Sequence, residues 1–421
     1  MNMYEFAKKL WPLNRSITGE GVRETLAKIK EHLPGLKTFE VPTGTRVFDW
    51  TVPKEWRVKE AWIKTPKGKK ICSFNENNLH LVGYSTPFNG KMSLAKLSKN
   101  LFSLPDQPGA IPYVTSYYKE DWGFCITQNE RDRLEDGIYE VFIDSELFNG
   151  SLTYGELLLK GKSSKEVFLS TYVCHPSMAN NEISGPVVTT FLSKWISELV
   201  NKKYTYRIIF IPETIGSITY LSRNLEILKE NVEAGFNITC IGDNLCYSYL
   251  PSRAGDTLSD RVSKHVLKHI DPDFKQYSWL DRGSDERQYC APGIDIPVAT
   301  IMRSKYGEYP EYHTSLDDLS FISPSGLEGG LKVLKLVVKC IESNCFPKAK
   351  LLGEPQLGKR GLYPNLSVKG SADSVKKMMD LLTYADGKND LINIAELIDV
   401  PAWDLIPIMS QLVEYELFNF N

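Results

Sequence analysis

The chain has 421 residues, 50 Lys and Arg against 52 Asp and Glu, and a hydrophobic share of 42%. That length predicts two or three domains with sizeable cores. A formal charge of −2 leaves no electrostatic drive toward nucleic acid or an anionic membrane, and neither is expected as a partner. The opening MNMYEFAKKLWPLNRS has no apolar h-region or small-residue cleavage site, and no apolar run is long enough to span a bilayer. The eight cysteines are scattered without a CxxC pair, which predicts reduced thiols and a cytoplasmic setting, with Cys174, Cys240 and Cys340 buried in apolar runs.

In chain order, apolar Val22, Leu26, Ile29 and Leu33 fall at helical spacing, and Pro34-Gly35 ends that helix. Between about residues 39 and 139, short alternating pieces and many aromatic residues predict a small β-rich module. An α/β rhythm follows. EVFLSTYV, YRIIFIP, FNITCIG and PVATIM read as buried strands. Helices are expected over 185–200, 256–269 and 326–343. This alternation predicts an α/β fold, a mostly parallel sheet with helices on both faces. A Pro/Gly-rich connector runs over 347–364, and three helices plus the short strand FNF suit a winged helix. The expected domains are 1–40 with 138–346, an insert over 41–137, and a winged helix over 352–421.

Ligands of parallel sheets bind beyond the carboxyl ends of the strands. His175, Glu213, Asp243 and His313 all follow predicted strand ends. Imidazoles and a carboxylate oxygen are donors that suit zinc, and a carboxylate delivered by an apolar strand has its pKa raised toward the range of a general base. Asn180-Asn181-Glu182 also reads as a helix cap with a first-turn acid. The run from Arg282 to Tyr289 reads either as a solvated loop or as a pocket lining that holds a substrate carboxylate or amine. His32, His265 and His269 lie on helices without a ligand partner at sequence spacing, and His80 is assigned no role.

The order HPSMANNEISG, PETIGS, SDERQY, YHTSLD resembles the zinc aminopeptidase and glutaminyl cyclase superfamily. Over nearly its whole length, through WPLNRSITGEGVRETL, FDWTVPKEW, IPYVTSYY and EPQLGKRGLYP, the chain resembles a bacterial family of unknown function. Members of that family carry an aminopeptidase-like domain, a small insert and a winged helix, and are often described as aminopeptidase-like or polysaccharide-biosynthesis proteins. The resemblance implies His175 and His313 as zinc ligands and Glu213 as general base. Asn181 falls at the position of a metal-bridging aspartate, Thr214 at that of a ligand glutamate, and Thr239 near that of a ligand aspartate, with Asp243 as its substitute. The metal set is therefore His175, Asn181, Asp243 and His313, with Glu182 in reserve. Asp285, Glu286, Arg287 and Tyr312 are the expected substrate contacts. A neutral Asn cannot offset the repulsion between two dications about 3.5–4 Å apart, so one zinc ion at most is expected. The expected activity is hydrolysis of an amide in a small peptide or acylated amino sugar. The alternative is a non-catalytic binding or scaffold protein linked to surface polysaccharide biosynthesis. The candidate recognition helix PAWDLIPIMSQLVEYEL has no Lys or Arg, which predicts packing or homo-oligomerisation rather than DNA binding.

Overall fold

A computed structural model describes residues 2–362 and 371–420. The chain divides into two compact units, Met1–Gly255 with Lys275–Leu331, and Asp256–Phe274 with Lys332–Asn421.

The first unit is built on an eight-stranded sheet. Its strands are β1 (Lys37–Pro42), β2 (Ser151–Leu159), β3 (Glu166–Tyr172), β4 (Thr205–Ile211), β5 (Val232–Ile238), β6 (Ser248–Leu250), β7 (Lys275–Gln276) and β8 (Val298–Met302). The spatial order is β1-β2-β4-β3-β5-β8-β6-β7. The centre, β4-β3-β5-β8, is parallel, and β1, β2 and β6 join antiparallel. Every residue of β3, β4 and β8 is buried, as expected of central strands covered on both faces. Helices α1 (Met3–Leu10), α2 (Glu20–His32) and α3 (Ser184–Glu198) pack on one another. A π-helical turn, Ala179–Ile183, leads into α3. Gly185 lets this helix press on the sheet, since a Cβ there would lie 2.5 Å from the Ile238 carbonyl oxygen. Helix α4 (Ile215–Asn231) follows β4 directly.

The insert has its own four-stranded sheet, ordered Lys70–Ile71, Glu55–Lys64, Ile138–Phe148, Phe88–Ser93. Its long strand pairs Phe148 with Glu55 and Glu140 with Lys64, so the module's sheet continues past the boundary expected at residue 137.

In the second unit, α5 (Leu258–Ile270) opens with a capping box between Thr257 and Asp260. Helix α6 is Pro324–Ser343. The helices α7 (Ser371–Tyr384), α8 (Leu391–Leu397) and α9 (Ala402–Glu414) are followed by a strand, Phe418–Phe420, that pairs antiparallel with Pro347–Ala349. The connector expected over 347–364 thus begins as a strand of the winged helix, and its last two residues lie outside the described residues. No helix among the described residues is long and apolar enough to cross a membrane.

Candidate active site

His175 lies three residues past β3 and is buried. Its Nδ1 is 2.9 Å from Glu182 Oε2, and its Nε2 is 3.6 Å from Glu213 Oε2. Arg15 closes the chain of charges from behind. Its Nε sits 3.1 Å from Glu182 Oε1 and donates to the His175 carbonyl at 2.9 Å, while Nη1 donates to the Leu10 carbonyl at 2.7 Å. Burial pushes the His175 pKa down, but the hydrogen bond and charge of Glu182, aided by Glu213, outweigh it and raise the pKa above the ordinary value. Burial raises the Glu213 pKa against the pull of His175. Ser284 Oγ donates to Glu213 Oε1 at 2.8 Å, and the Glu213 side chain keeps 22% of its surface open, so its carboxylate can be reached.

His313 completes the pocket. The two imidazole centroids are 5.5 Å apart, and Tyr312 stacks on His313 at 3.9 Å. Burial, followed by the charge of His175, pushes the His313 pKa down to about 3, which keeps the ring neutral, and its Nε2 has no partner. The insert reaches this point. Tyr113 N–H donates to the His313 carbonyl at 2.9 Å, and the Tyr113 ring stands edge-on to His175 and His313 at 5.3 and 5.1 Å.

Asp243 does not supply a free ligand. Strand β5 ends at Ile238, and Asp243 follows five residues later. Its Oδ2 accepts from Asn180 Nδ2 and Ser304 N–H, both at 2.9 Å, and its Oδ1 from Ser304 Oγ and Leu245 N–H at 2.9 and 2.8 Å. Four hydrogen bonds leave no lone pair directed at a metal. The cap of the turn before α3 comes from elsewhere: Asp317 accepts from Asn180 N–H and Asn181 N–H at 2.6 and 2.9 Å. Asn181 Oδ1 accepts from Tyr172 at 2.8 Å, while its Nδ2 is buried without a partner. Thr239 donates to the Asn181 carbonyl at 3.1 Å.

The polar run over 282–289 splits in role. Glu286 is spent inside the protein, accepting from Gly283 N–H, Ser284 N–H, Tyr306 and Asn237, so the expected substrate contact is a structural anchor. Asp285 Oδ1 accepts from Thr214 N–H and Ser217 Oγ, its Oδ2 is unpartnered, and burial pushes its pKa up to about 8. Arg287 is exposed and donates to Thr214 Oγ1 at 2.7 Å. Thr214 (φ 61°), Cys240 (φ 47°) and His313 (φ 55°) all occupy left-handed backbone. For residues with a Cβ this costs about 1–3 kcal/mol each, and such strain collects at functional sites.

The arrangement places buried, partly unpaired polar groups around two histidines on an aminopeptidase-like fold. The chain matches the family described as Domain of unknown function (DUF4910) over residues 4–344 and a winged helix-turn-helix family over 345–419. It belongs to the first of these families. A Clostridium acetobutylicum protein is 45% identical over 397 residues, covering 93% of this chain and 90% of the relative, and carries the provisional name of a polysaccharide biosynthesis protein with an aminopeptidase-like domain. A crystallised Clostridium acetobutylicum protein superposes with TM-score 0.94 at 43% identity, covering 100% of this chain and 96% of that one. A zinc aminopeptidase from Bacillus subtilis shares the fold, with TM-score 0.60 at 13% identity over 81% of this chain and 94% of its own.

The donor inventory does not fit a zinc centre of the kind such enzymes use. A catalytic zinc takes three protein ligands and an open position. The ligand atoms left free of structural hydrogen bonds are the Nε2 atoms of His175 and His313, the carboxylate of Glu213 and the buried Oδ2 of Asp285. Among the described residues, no set that joins His175 and His313 to a carboxylate brings three ligand atoms within 4.8 Å of one another. Asn181 and Thr214 add no charge for a second ion. Two other groups bring ligand atoms within 4.8 Å, Cys174–His175–Glu182 and His265–His269–Glu396. In the first, Glu182 and His175 Nδ1 bond each other, and burial holds the Cys174 thiol well above its usual range. In the second, His265 uses both nitrogens, Nδ1 with Glu396 and Nε2 as acceptor from Ala402 N–H.

Arg15 and Tyr113 have no counterpart among the expected site residues. Each comes from a segment remote in sequence from the histidines it touches. The glycines at 19 and 21 were the one local sign that the loop around Arg15 is tightly built; a Cβ on Gly21 would lie 2.1 Å from the Asn14 carbonyl oxygen.

Proposed function

We propose that this protein is a recognition member of the aminopeptidase-like fold, whose pocket binds the amide group of a small peptide or acylated amino sugar without a resident zinc pair. The observation that carries this reading is that His175 and His313 join no third ligand atom within 4.8 Å among the described residues, while Asn181 is neutral and Asp243 is spent on four hydrogen bonds. The pocket retains the means to hold an amide. Glu213 is a reachable acceptor for an N–H, and the Nδ2 of Asn181 is a buried donor without a partner. Three residues with positive φ, Thr214, Cys240 and His313, lie around it. The relative's name supplies the biological setting, assembly of a polysaccharide, and the eight free cysteines support a cytoplasmic one.

A second reading is a zinc-dependent amide hydrolase with Glu213 as base. It is favoured by the carboxylate on His175 Nδ1, a partner that metal-binding histidines use, and by the raised Glu213 pKa. The two readings separate by experiment. Elemental analysis of protein purified without added zinc, followed by calorimetric zinc titration, is expected to show far less than one equivalent bound. Stoichiometric zinc, together with loss of turnover of an N-acylated substrate in Glu213→Gln, would establish the hydrolase instead.

The winged helix reads as a packing or self-association module. In a helix-turn-helix the first residues of the recognition helix meet base edges. Here Ala402, the first residue of α9, is buried and donates its N–H to His265 of α5. Duplex DNA is therefore not the expected partner.

A further inference from the structure

A second candidate site lies in the first unit, outside the histidine pocket. Two adjacent cavities of about 370 Å³ and 300 Å³ share Asn14 and Phe74 as lining residues, and together they make a two-part groove. Each part is near the lower end of the roughly 300–1,000 Å³ that ligand pockets occupy. Three partly exposed aromatic rings mark its course, with Trp11 in one part, Phe148 in the other and Phe74 in both. Between them the lining is polar. Asn78 lines the smaller cavity, and its Oδ1 is buried without a hydrogen-bond partner. Four carboxylates (Glu20, Glu24, Glu55, Glu76) face two guanidinium groups (Arg23, Arg57), so the groove disfavours phosphates and other polyanions.

We propose that this groove binds a neutral or amino-bearing oligosaccharide. The apolar C–H face of a pyranose fits against an aromatic ring, and the Arg57 guanidinium lies over one such ring, Phe148, at 5.1 Å. Side-chain amides and carboxylates offer paired donors and acceptors for the vicinal hydroxyls at the sugar edge. The groove also abuts the pocket's supporting network. Asn14 lines it, while its neighbour Arg15 turns into the core to meet Glu182 and the His175 carbonyl. Ser177, two residues from His175, lines the part nearer Trp11. The proposal is separable from the reading of the histidine pocket, because its test rests on variants of residues that line the groove.

The full-length protein would be titrated calorimetrically with N-acetylglucosamine tetramer, maltotetraose and tetra-alanine. At least one saccharide is expected to bind, with affinity falling about tenfold or more in Asn14→Ala and Asn78→Ala. Phe74→Ala should have the larger effect, but Phe74 also packs on the core, so the two asparagine variants, checked by circular dichroism, carry the test. Failure of both saccharides to bind, equal affinity in the asparagine variants, or binding of the peptide alone would overturn the proposal.

Discussion

Two buried arginines in the first unit are used in opposite ways. Arg207, on β4, is fully matched. It holds Glu166 through Nε and Nη2 at 2.6 and 2.8 Å, and its Nη1 reaches Glu156 at 3.0 Å and Tyr220 at 3.2 Å. Arg15 is not. Its Nη2 has no partner, and the chain it begins, through Glu182 and His175 to Glu213, ends on a carboxylate open to the pocket. The pocket gathers further unpaired atoms at Asn181 Nδ2, Asp285 Oδ2 and His313 Nε2. Leaving a buried polar group unmade costs about 1–3 kcal/mol, so an accumulation of them in one place marks where stability has been given up for binding.

This contrast can be broken by mutation. The largest effect is expected from Arg207→Ala, which strands Glu166 and should lower the unfolding free energy by about 3–5 kcal/mol in urea denaturation. Arg15→Met should cost less, about 1–3 kcal/mol, because Glu182 keeps His175 as a partner. Equal losses in the two variants would remove the distinction between them.

A matched histidine sharpens the comparison. His265 is buried, with Nδ1 on Glu396 and Nε2 accepting from Ala402 N–H, a pattern only the neutral ring can satisfy. Burial lowers its pKa despite Glu396, and the neighbouring Lys268 opposes a further charge. Its contribution to stability is therefore present above the ordinary histidine pKa of about 6.5 and lost as the pH falls below it, where the unfolded chain takes up the proton first. His265→Phe should destabilise by about 1–3 kcal/mol at neutral pH and flatten the acid limb of the stability profile. An unchanged limb would show that other groups set it.

The smallest expected effect has the opposite sign. Glu213→Gln removes a charge whose burial is only partly compensated, and the variant should match or exceed the parent in stability by up to about 1 kcal/mol while losing ligand affinity. A clear loss of stability would make Glu213 a structural residue like Glu286.

The sequence by itself determined most of the framework. Largely apolar runs specify β3, β4 and β8, because a strand covered on both faces takes a polar side chain only where a buried partner meets it, as Glu166 meets Arg207. Periodicity located α2, the alternation of strands and helices located α6, and the motifs singled out His175, Glu213 and His313. Helix α4 was not legible. Its opening, IGSITY, is poor in helix formers, and burial of every residue from Ile215 to Leu221 is what holds it. Only the tertiary structure decided the partners. Asp243 looks like a ligand by position, yet Ser304 and Asn180, 61 and 63 residues away, consume its oxygens. Arg15 lies 160 residues before the carbonyl it binds. Hydrogen-bond partners this far apart leave no local pattern in the chain, so whether a buried carboxylate is spent or free, and with it the chemistry of the pocket, is settled by packing.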